Sequence, residues 1–422
     1  MKKGTLITIT GLLAIGLLFS VNFAQAQTIG RQAPGSLDPT FGTGGTVTTT
    51  FGGVSVSPLT AIEQSNGNIA VVTGLGNGVP NEEDFALVRY MSSGTLIGVT
   101  RAAFFTDGIN SPSALAVQSN GDILVVGTAS TAIDQPQDIA IARFTPSGQL
   151  DTTFGSAGLV TTQIPANRLY TTGLPSVSAV IAQPNGQILV GGFVGSCCKH
   201  SPGATVLVRY NSDGSLDTTF GTAGIVMVPS AVTDPAALAE LSNGSYLAVG
   251  DDASGDIGLV VEFSSTGVLQ STVMPGTVVA ATQSGSGTVL FQPNGDYVVA
   301  ETVSAGRNKS DAEVFRFLET GVLDSSFSSP KFTFGGNSQT EPQAIALQSN
   351  GQIVVGGITN AHGTAVTGGL ARLDSNGELE TTFASGGLVS QEVVSGLLIQ
   401  TDGKIVAIGN NGNLALARYF AN

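Results

Sequence analysis

The histidines and the carboxylates are the residues of this chain that could do catalytic chemistry, and the histidines are few. The chain of 422 residues has two of them, His200 and His362, so a Ser-His-Asp triad would have to use one or the other. No serine lies in a Gly-x-Ser-x-Gly elbow between a strand and a helix. A pair of carboxylates could meet across the mouth of a ring, as in glycosidases, but the sequence does not place such a pair. We therefore predict no individual catalytic residue.

One acidic run could bind a metal. Asp251, Asp252 and Asp256 lie within six residues, and calcium favours clustered oxygen ligands of this kind. The run does not match the EF-hand loop. We expect no cofactor, and calcium is the alternative that this run leaves open.

The two cysteines, Cys197 and Cys198, are neighbours and cannot join distant parts of the fold. In an oxidising compartment they could form a vicinal or an intermolecular disulfide, and two ordinary loop thiols are the alternative. A structural zinc site needs four ligands, and only His200 lies nearby. The sequence therefore excludes zinc at this point.

A repeated four-strand pattern must position all of these residues. Its first landmark is a hairpin turn, as in Gln118-Ser119-Asn120-Gly121, where glycine takes the positive φ that other residues resist. The turn occurs seven times, with successive spacings of 54, 65, 58, 51, 56 and 52 residues. Its glycines are Gly67, Gly121, Gly186, Gly244, Gly295, Gly351 and Gly403. A regular period of strands at this spacing is typical of a propeller or a solenoid.

The second landmark is a basic-aromatic pair, which we interpret as the end of the third strand. The third landmark is a Leu-Asp-x-Thr-Phe-Gly segment, which we interpret as an outer strand. Arg143 and Asp151 are symmetric about the turn between them, so they should lie opposite each other. We predict structural pairs at Arg143–Asp151, Arg209–Asp217, Arg316–Asp324, Arg372–Glu380 and Arg418–Asp38. Glu262 replaces the arginine in the fourth copy.

The two chain ends complement each other. Residues 36–42 carry the Leu-Asp-x-Thr-Phe-Gly segment, and the last repeat ends at Asn422 without one. We therefore expect residues 36–50 to pair with the strand near Arg418, which would close the array and leave no unpaired edge at that point. The predicted fold is all-β: a seven-bladed β-propeller of four-stranded antiparallel blades, whose ring is closed when the N-terminal strand completes the last blade.

Composition narrows the location and the partners. Residues 1–26 have the basic start, apolar stretch and small-residue cleavage site of a signal peptide, with a membrane anchor as the alternative. We expect cleavage near Ala26, a linker at 27–34, a propeller at 35–422 and a secreted protein, extracellular or periplasmic. The net charge of −14 argues against nucleic acid and against an anionic membrane surface as partners. We expect no membrane insertion, because no segment after residue 26 is apolar enough to cross, and we expect an extracellular protein or a glycan as partner.

The connections divide the two faces of the array. The turns between first and second strands and between third and fourth strands are short, whereas the other connections vary in length, and variable loops on a rigid frame usually carry binding sites. We therefore place function on the long-loop face. The candidate ligand contacts, each with a solvated loop residue as its alternative, are Arg168, Tyr170, Lys199, His200, Arg307 and His362.

The combined pattern, as in QPNGQILVGG and VLVRYNSDGSLDTTFGTAGIV, resembles the delta-60 repeat family of bacterial secreted and surface proteins. The resemblance implies a propeller and brings no catalytic residues with it. We predict a secreted, non-catalytic binding module that acts through the long-loop face. The alternative is an extracellular hydrolase or lyase, directed at a glycan or a lactone, with its site at the ring mouth.

Overall fold

Strands are the regular elements of the described part of the chain. The computed structural model describes residues 32–421 except 77, 79–82, 106–107, 133–134, 136, 166–174, 196–202, 230–233, 252–256, 274–287, 307–308, 335–338, 361–366, 385 and 392. Across these ranges no helix has both the length and the apolar character needed to cross a membrane.

The strands fall into units of four, which we number in chain order. Unit 1 consists of β2 (Val56–Glu63), β3 (Ile69–Gly76), β4 (Glu83–Tyr90) and β5 (Leu96–Ala102). Unit 2 consists of β6 (Ile109–Val117), β7 (Ile123–Ser130), β8 (Asp138–Phe144) and β9 (Leu159–Thr162). Unit 3 consists of β10 (Pro175–Ala182), β11 (Ile188–Val194), β12 (Ala204–Tyr210) and β13 (Ile225–Pro229). Unit 4 consists of β14 (Asp234–Glu240), β15 (Tyr246–Asp251), β16 (Ile257–Phe263) and β17 (Leu269–Val273). Unit 5 consists of β18 (Thr288–Phe291), β19 (Tyr297–Ser304), β20 (Ser310–Phe317) and β21 (Lys331–Phe332).

Units 6 and 7 complete the array. Unit 6 consists of β22 (Gln339–Leu347), β23 (Ile353–Asn360), β24 (Thr367–Leu373) and β25 (Leu388–Gln391), and unit 7 of β26 (Gly396–Ile399), β27 (Ile405–Asn410), β28 (Leu414–Tyr419) and the N-terminal β1 (Thr46–Thr49). Neighbouring strands within each unit are antiparallel. Units 5 and 6 share one sheet through a single parallel pair, Ser310 with Gln339.

The chain ends share the sheet of unit 7. Strand β1 pairs with β28 in the register Thr46 to Ala417, and a bridge joins Leu37 to Tyr419. The structure thus shows the pairing that the complementary ends predict. Unit 7 also packs against unit 1, because Ile408 and Leu416 lie in one apolar cluster with Val71 and Val88.

Both faces of the second strands are buried. All eight residues of β3 and all eight of β7 are buried, since each sheet packs between two neighbours. Glycine allows the tight turn into β7: Gly121 has a φ of 88°, and its N–H donates to the Gln118 carbonyl at 2.8 Å. Sequence and structure therefore agree on the hairpins.

The Leu-Asp-x-Thr-Phe-Gly segment is a turn, so its interpretation as an outer strand is wrong. In unit 2 only Leu150 forms a bridge, to Phe144, and the outer strand begins later, at Leu159. The Asp151 carboxylate closes the turn by accepting from the backbone N–H of Thr153 at 3.0 Å and from its hydroxyl at 2.7 Å. A short polar residue that binds its own backbone favours a turn over a strand.

The first strands of units 1, 2, 5, 6 and 7 line one cavity, which we call the channel. In β2, β6, β10, β14 and β22 a bulge interrupts the pairing with the second strand. The cavity among the first strands has a volume of about 440 Å³. Its polar lining consists of Thr60, Ser113, Thr288, Gln343 and Ser395.

Candidate functional site

The ligand contacts predicted from the sequence lie outside the described residues. This holds for Arg168, Tyr170, Lys199, His200, Arg307 and His362, and for Cys197 and Cys198. Of the calcium candidates, Asp252 and Asp256 lie outside, and Asp251 is described only as the last residue of β15. Where the structure does describe the chain, it contains no group of three or more His, Cys, Asp or Glu residues able to hold a metal ion.

The predicted arginine–acid pairs form ion pairs. The nitrogen–oxygen distances are 2.7 Å for Arg143–Asp151, 2.7 Å for Arg209–Asp217, 2.6 Å for Arg316–Asp324, 2.9 Å for Arg372–Glu380 and 2.8 Å for Arg418–Asp38. Each guanidinium also lies over the phenylalanine of its own Leu-Asp-x-Thr-Phe-Gly turn, as Arg143 does at 4.4 Å from the Phe154 centroid. The repetition in five units gives these residues a structural role.

A different set of residues meets at the interface between units 1 and 2. Asn110, Ala129 and Asp138 are cross-strand neighbours on β6, β7 and β8, so they form one row across the sheet. Ala129 packs in one apolar cluster with Phe85 of unit 1. The row therefore faces unit 1, at the long-loop end of the interface, where β6 and β8 begin.

Glu83 of unit 1 faces this row from the other side. The Asn110 side-chain nitrogen donates to the Glu83 carbonyl at 3.0 Å, and the Glu83 carboxylate accepts from the Ser57 hydroxyl at 2.8 Å. The carboxylate lies over Gly74, where a Cβ would come within 2.0 Å of its Oε2 atom. Only glycine at position 74 leaves room for the carboxylate in this place.

Aromatic rings and the channel border the site. The Phe104 ring packs edge-on against Phe85 at 4.9 Å between centroids, and Phe104 and Phe105 are both half-buried. Ser57 is followed by Pro58, which lines the channel. A ligand at this interface would thus have apolar rings on one side and the channel on another. We call Ser57, Glu83, Asn110, Ala129 and Asp138 the unit 1–2 site.

The two carboxyl groups of the unit 1–2 site have unlike surroundings. Burial raises the pKa of Asp138, and no ion pair or hydrogen bond to this carboxyl is found among the described residues. Glu83 instead has a hydroxyl donor on its carboxylate. A carboxyl with a raised pKa can donate a proton, and a hydrogen-bonded carboxylate can accept one.

Sequence reasoning missed this site, although a signal for it is present. Asp84 and Asp138 each lie five residues before the landmark arginine of their unit, where the third strand begins. Because that strand begins on the long-loop face, an acid there lies at the predicted working surface. Whether Asp138 has a partner depends on the side chains that the preceding unit, unit 1, places opposite it. The pattern of a single repeat does not contain that information.

Three solved structures that match this chain are distant from it in sequence. The periplasmic gluconolactonase of Pseudomonas aeruginosa matches with 14% identity and a TM-score of 0.48, over 86% of this chain and 89% of its own. The α-L-arabinofuranosidase Arb93A of Fusarium graminearum matches with 11% identity and a TM-score of 0.46, over 90% and 98%. The α-L-arabinanase of Penicillium chrysogenum matches with 13% identity and a TM-score of 0.41, over 88% and 98%. No curated protein sequence matches the chain.

These three structures correct the functional expectation. All three are enzymes and none is a non-catalytic binding module, so the comparisons do not bear out that expectation. At such identities the likeness concerns the fold, and no residue or substrate is carried over from them.

Three segments of the chain match a family model described as "Domain of unknown function (DUF5122) beta-propeller". They are residues 118–154, 183–220 and 348–383. Each includes the first turn and the Leu-Asp-x-Thr-Phe segment of its unit, with Glu380 in place of the aspartate in unit 6. The chain therefore contains β-propeller repeats.

Proposed function

We propose that the protein is a hydrolase outside the cytoplasm that cleaves glycosidic bonds at the unit 1–2 site. The observation that carries the proposal is the pair of carboxyl groups, Asp138 and Glu83, which face one interface in unlike surroundings. Most glycoside hydrolases use two carboxyl groups in different environments, one as the proton donor and one as the base or nucleophile.

The roles follow from the surroundings. The protonated Asp138 carboxyl donates its proton to the oxygen of the leaving sugar while the bond from that oxygen to the anomeric carbon breaks. Glu83 takes a proton from the water whose oxygen bonds to the same carbon. One water is consumed, and the proton gained by Glu83 replaces the one lost by Asp138 through solvent.

Neutral sugars fit the site better than acidic ones. The chain carries a net charge of −14, which repels polyanionic chains. The half-buried Phe104 and Phe105 rings offer apolar surface for the faces of a sugar ring, and the hydroxyls and amide of the channel offer hydrogen bonds. The substrate class is therefore a neutral glycan.

The proposal also includes the number of blades, the closure of the ring and the cellular compartment. Units 1 to 7 form a closed seven-bladed ring, supported by the packing of unit 7 on unit 1 and by the β1–β28 pairing. The repeats belong with the delta-60 repeats that they resemble. Residues 1–26 act as a signal peptide, so the enzyme works in the periplasm or outside the cell.

Substitution of the two carboxyls tests the proposal. We expect Asp138→Asn and Glu83→Gln each to lower kcat/KM on neutral alkyl glycosides by about 100-fold or more. With a dinitrophenyl glycoside, whose leaving group needs no proton, Asp138→Asn should regain most of its activity and Glu83→Gln should not. Asp311→Asn is the matched control, because Asp311 is the second residue of the third strand of its unit and lies five residues before Arg316.

The pH profile gives a second test of the role of Asp138. Because burial raises the pKa of this carboxyl and only its protonated form donates, activity should fall as pH rises through that pKa. The alkaline fall should vanish in Asp138→Asn on the dinitrophenyl substrate. Full activity of both variants on every glycoside hydrolysed by the wild type would refute the assignment.

A further inference from the structure

The orientation of the Asn110 amide is fixed by its neighbours. Its Nδ2 atom faces two carbonyl oxygens, that of Glu83 at 3.0 Å and that of Gly108 at 3.4 Å. A carbonyl oxygen only accepts, so the nitrogen must be on this side and Oδ1 must point the other way. Asn110 therefore presents an acceptor, and no donor, on its remaining side.

The Oδ1 atom has no hydrogen-bond partner among the described residues, and Asn110 is only 1% exposed. A buried polar atom without a partner is costly and calls for a specific explanation. The next side chain in the row is the methyl group of Ala129, which offers no donor. Beyond it lies Asp138, half-buried at the outer end of the row.

We propose that Asn110 Oδ1 accepts a hydrogen bond from a hydroxyl group of the ligand, which makes Asn110 a specificity-determining residue of the unit 1–2 site. The inference rests on the proposed function for its substrate class, a neutral sugar, and adds which ligand group is recognised. Because Ala129 is fully buried in one apolar cluster with Phe85, the sugar hydroxyl must displace the local packing at the Asp138 end of the row to reach Oδ1. An acceptor without a donor of its own selects a hydroxyl and rejects a hydrogen or a carboxylate at that ring position.

The corresponding row of unit 6 also has buried oxygens without a partner among the described residues, Thr340 Oγ1 and Thr359 Oγ1, but it has no acceptor of fixed orientation. It consists of Thr340, Thr359 and Thr367, which pair across β22, β23 and β24 in the same register. Threonine hydroxyls rotate and can donate or accept, so they impose no fixed acceptor on a ligand. The row also contains no carboxyl group, and it supplies a matched control.

Binding of deoxygenated sugars tests the inference. Neutral pentoses and hexoses are titrated calorimetrically against the full chain, and the tightest binder is then compared with each of its singly deoxygenated analogues. In the wild type one analogue should bind about 10- to 100-fold more weakly, the effect of one unsatisfied buried acceptor. In Asn110→Val this penalty should shrink below about threefold, and in Thr340→Val it should stay complete. Valine is suitable because Val56 occupies the same row position in unit 1.

A second variant guards against a purely structural effect of Asn110→Val. Ala129→Ser places a hydroxyl beside Oδ1, within reach of a cross-strand neighbour, so it should satisfy the acceptor internally. We expect an unchanged or raised melting temperature together with about tenfold weaker sugar binding. An equal deoxygenation penalty in wild type and Asn110→Val, or no binding by any sugar of the panel, would overturn the inference. Loss of the penalty in Asn110→Val while Asp138→Asn and Glu83→Gln keep full activity would refute the catalytic assignment alone.

Discussion

The interface between units 7 and 1 and the interface between units 4 and 5 are built from the same repeat but hold together differently. At the first, the Arg418 guanidinium reaches the Ser92 carbonyl of unit 1, and Gln400 donates to Glu63 at 3.0 Å. At the second, Glu262 stands at the arginine position and Leu241 at the glutamine position. Neither side chain has a described hydrogen bond to unit 5.

The difference shows which part of the repeat holds neighbouring units together. The landmark arginine reaches a turn carbonyl of the next unit at every interface except the unit 4–5 interface, within the ranges described. The pairs are Arg89 to Ser147, Arg143 to Ser212, Arg209 to Ser265, Arg316 to Ser375, Arg372 to Ala421 and Arg418 to Ser92. Among the described residues of the unit 4–5 interface we find apolar packing, with Leu241 against the cluster that contains Tyr297 and Phe317. We therefore expect local opening to begin there.

Among the predicted changes, removal of the N-terminal strand should lower the stability of the unit 7–1 interface most. Deletion of residues 27–50 takes away β1, Asp38 and Phe41, and with them the outer edge of unit 7 and the partner of Arg418. We expect the melting temperature to fall by about 10 °C or more, measured by calorimetry. A deletion limited to residues 27–31 is the control. Equal melting of the two deletions would show that β1 does not seal the interface.

Single substitutions at the two interfaces should lower the free energy of unfolding by different amounts. Arg418 and Asp38 are both buried, so Arg418→Met leaves a carboxylate without its main partner and should destabilise the fold by about 3–5 kcal/mol in urea. Glu262→Gln at the unit 4–5 interface removes a charge that two serine hydroxyls satisfy and should change stability by less than about 1 kcal/mol. Equal losses from the two variants would contradict the ranking.

The repeat itself made much of the fold predictable. The turn glycines and the apolar second strands follow from local rules, and the pairing of the chain ends follows from the complementary segments at 36–42 and 418–422. The Leu-Asp-x-Thr-Phe-Gly segment follows the third strand and its turn, which suggests the fourth strand, but three consecutive polar residues separate its leucine from its phenylalanine. The aspartate that binds the backbone two residues later, as Asp151 does, is the feature that should have indicated a turn.

The candidate site was less predictable because it depends on contacts between units. Asn110 and Glu83 are 27 residues apart, and neither belongs to a recognised motif. Their significance comes from the Asn110–Glu83 hydrogen bond, which fixes the amide, and from Gly74, which admits the carboxylate. Reasoning from one repeat at a time identifies the Arg143–Asp151 type of pair, which lies inside a unit, and overlooks pairs that span two units.

The smallest predicted effect comes from giving the unit 4–5 interface the missing donor. In Glu262→Arg the guanidinium could reach the Glu319 carbonyl, the counterpart of Ser375 two residues before the turn glycine. The gain should be below about 1 kcal/mol, because unit 4 has Gln270 where five other units have an acid and because Ser245 loses one of its two acceptors. Hydrogen exchange should nevertheless slow for the amides of β16 and β19 and stay unchanged for those of β3 and β27. Faster exchange in β16 and β19 would mean that the aromatic packing, and not the absent arginine, sets the strength of this interface.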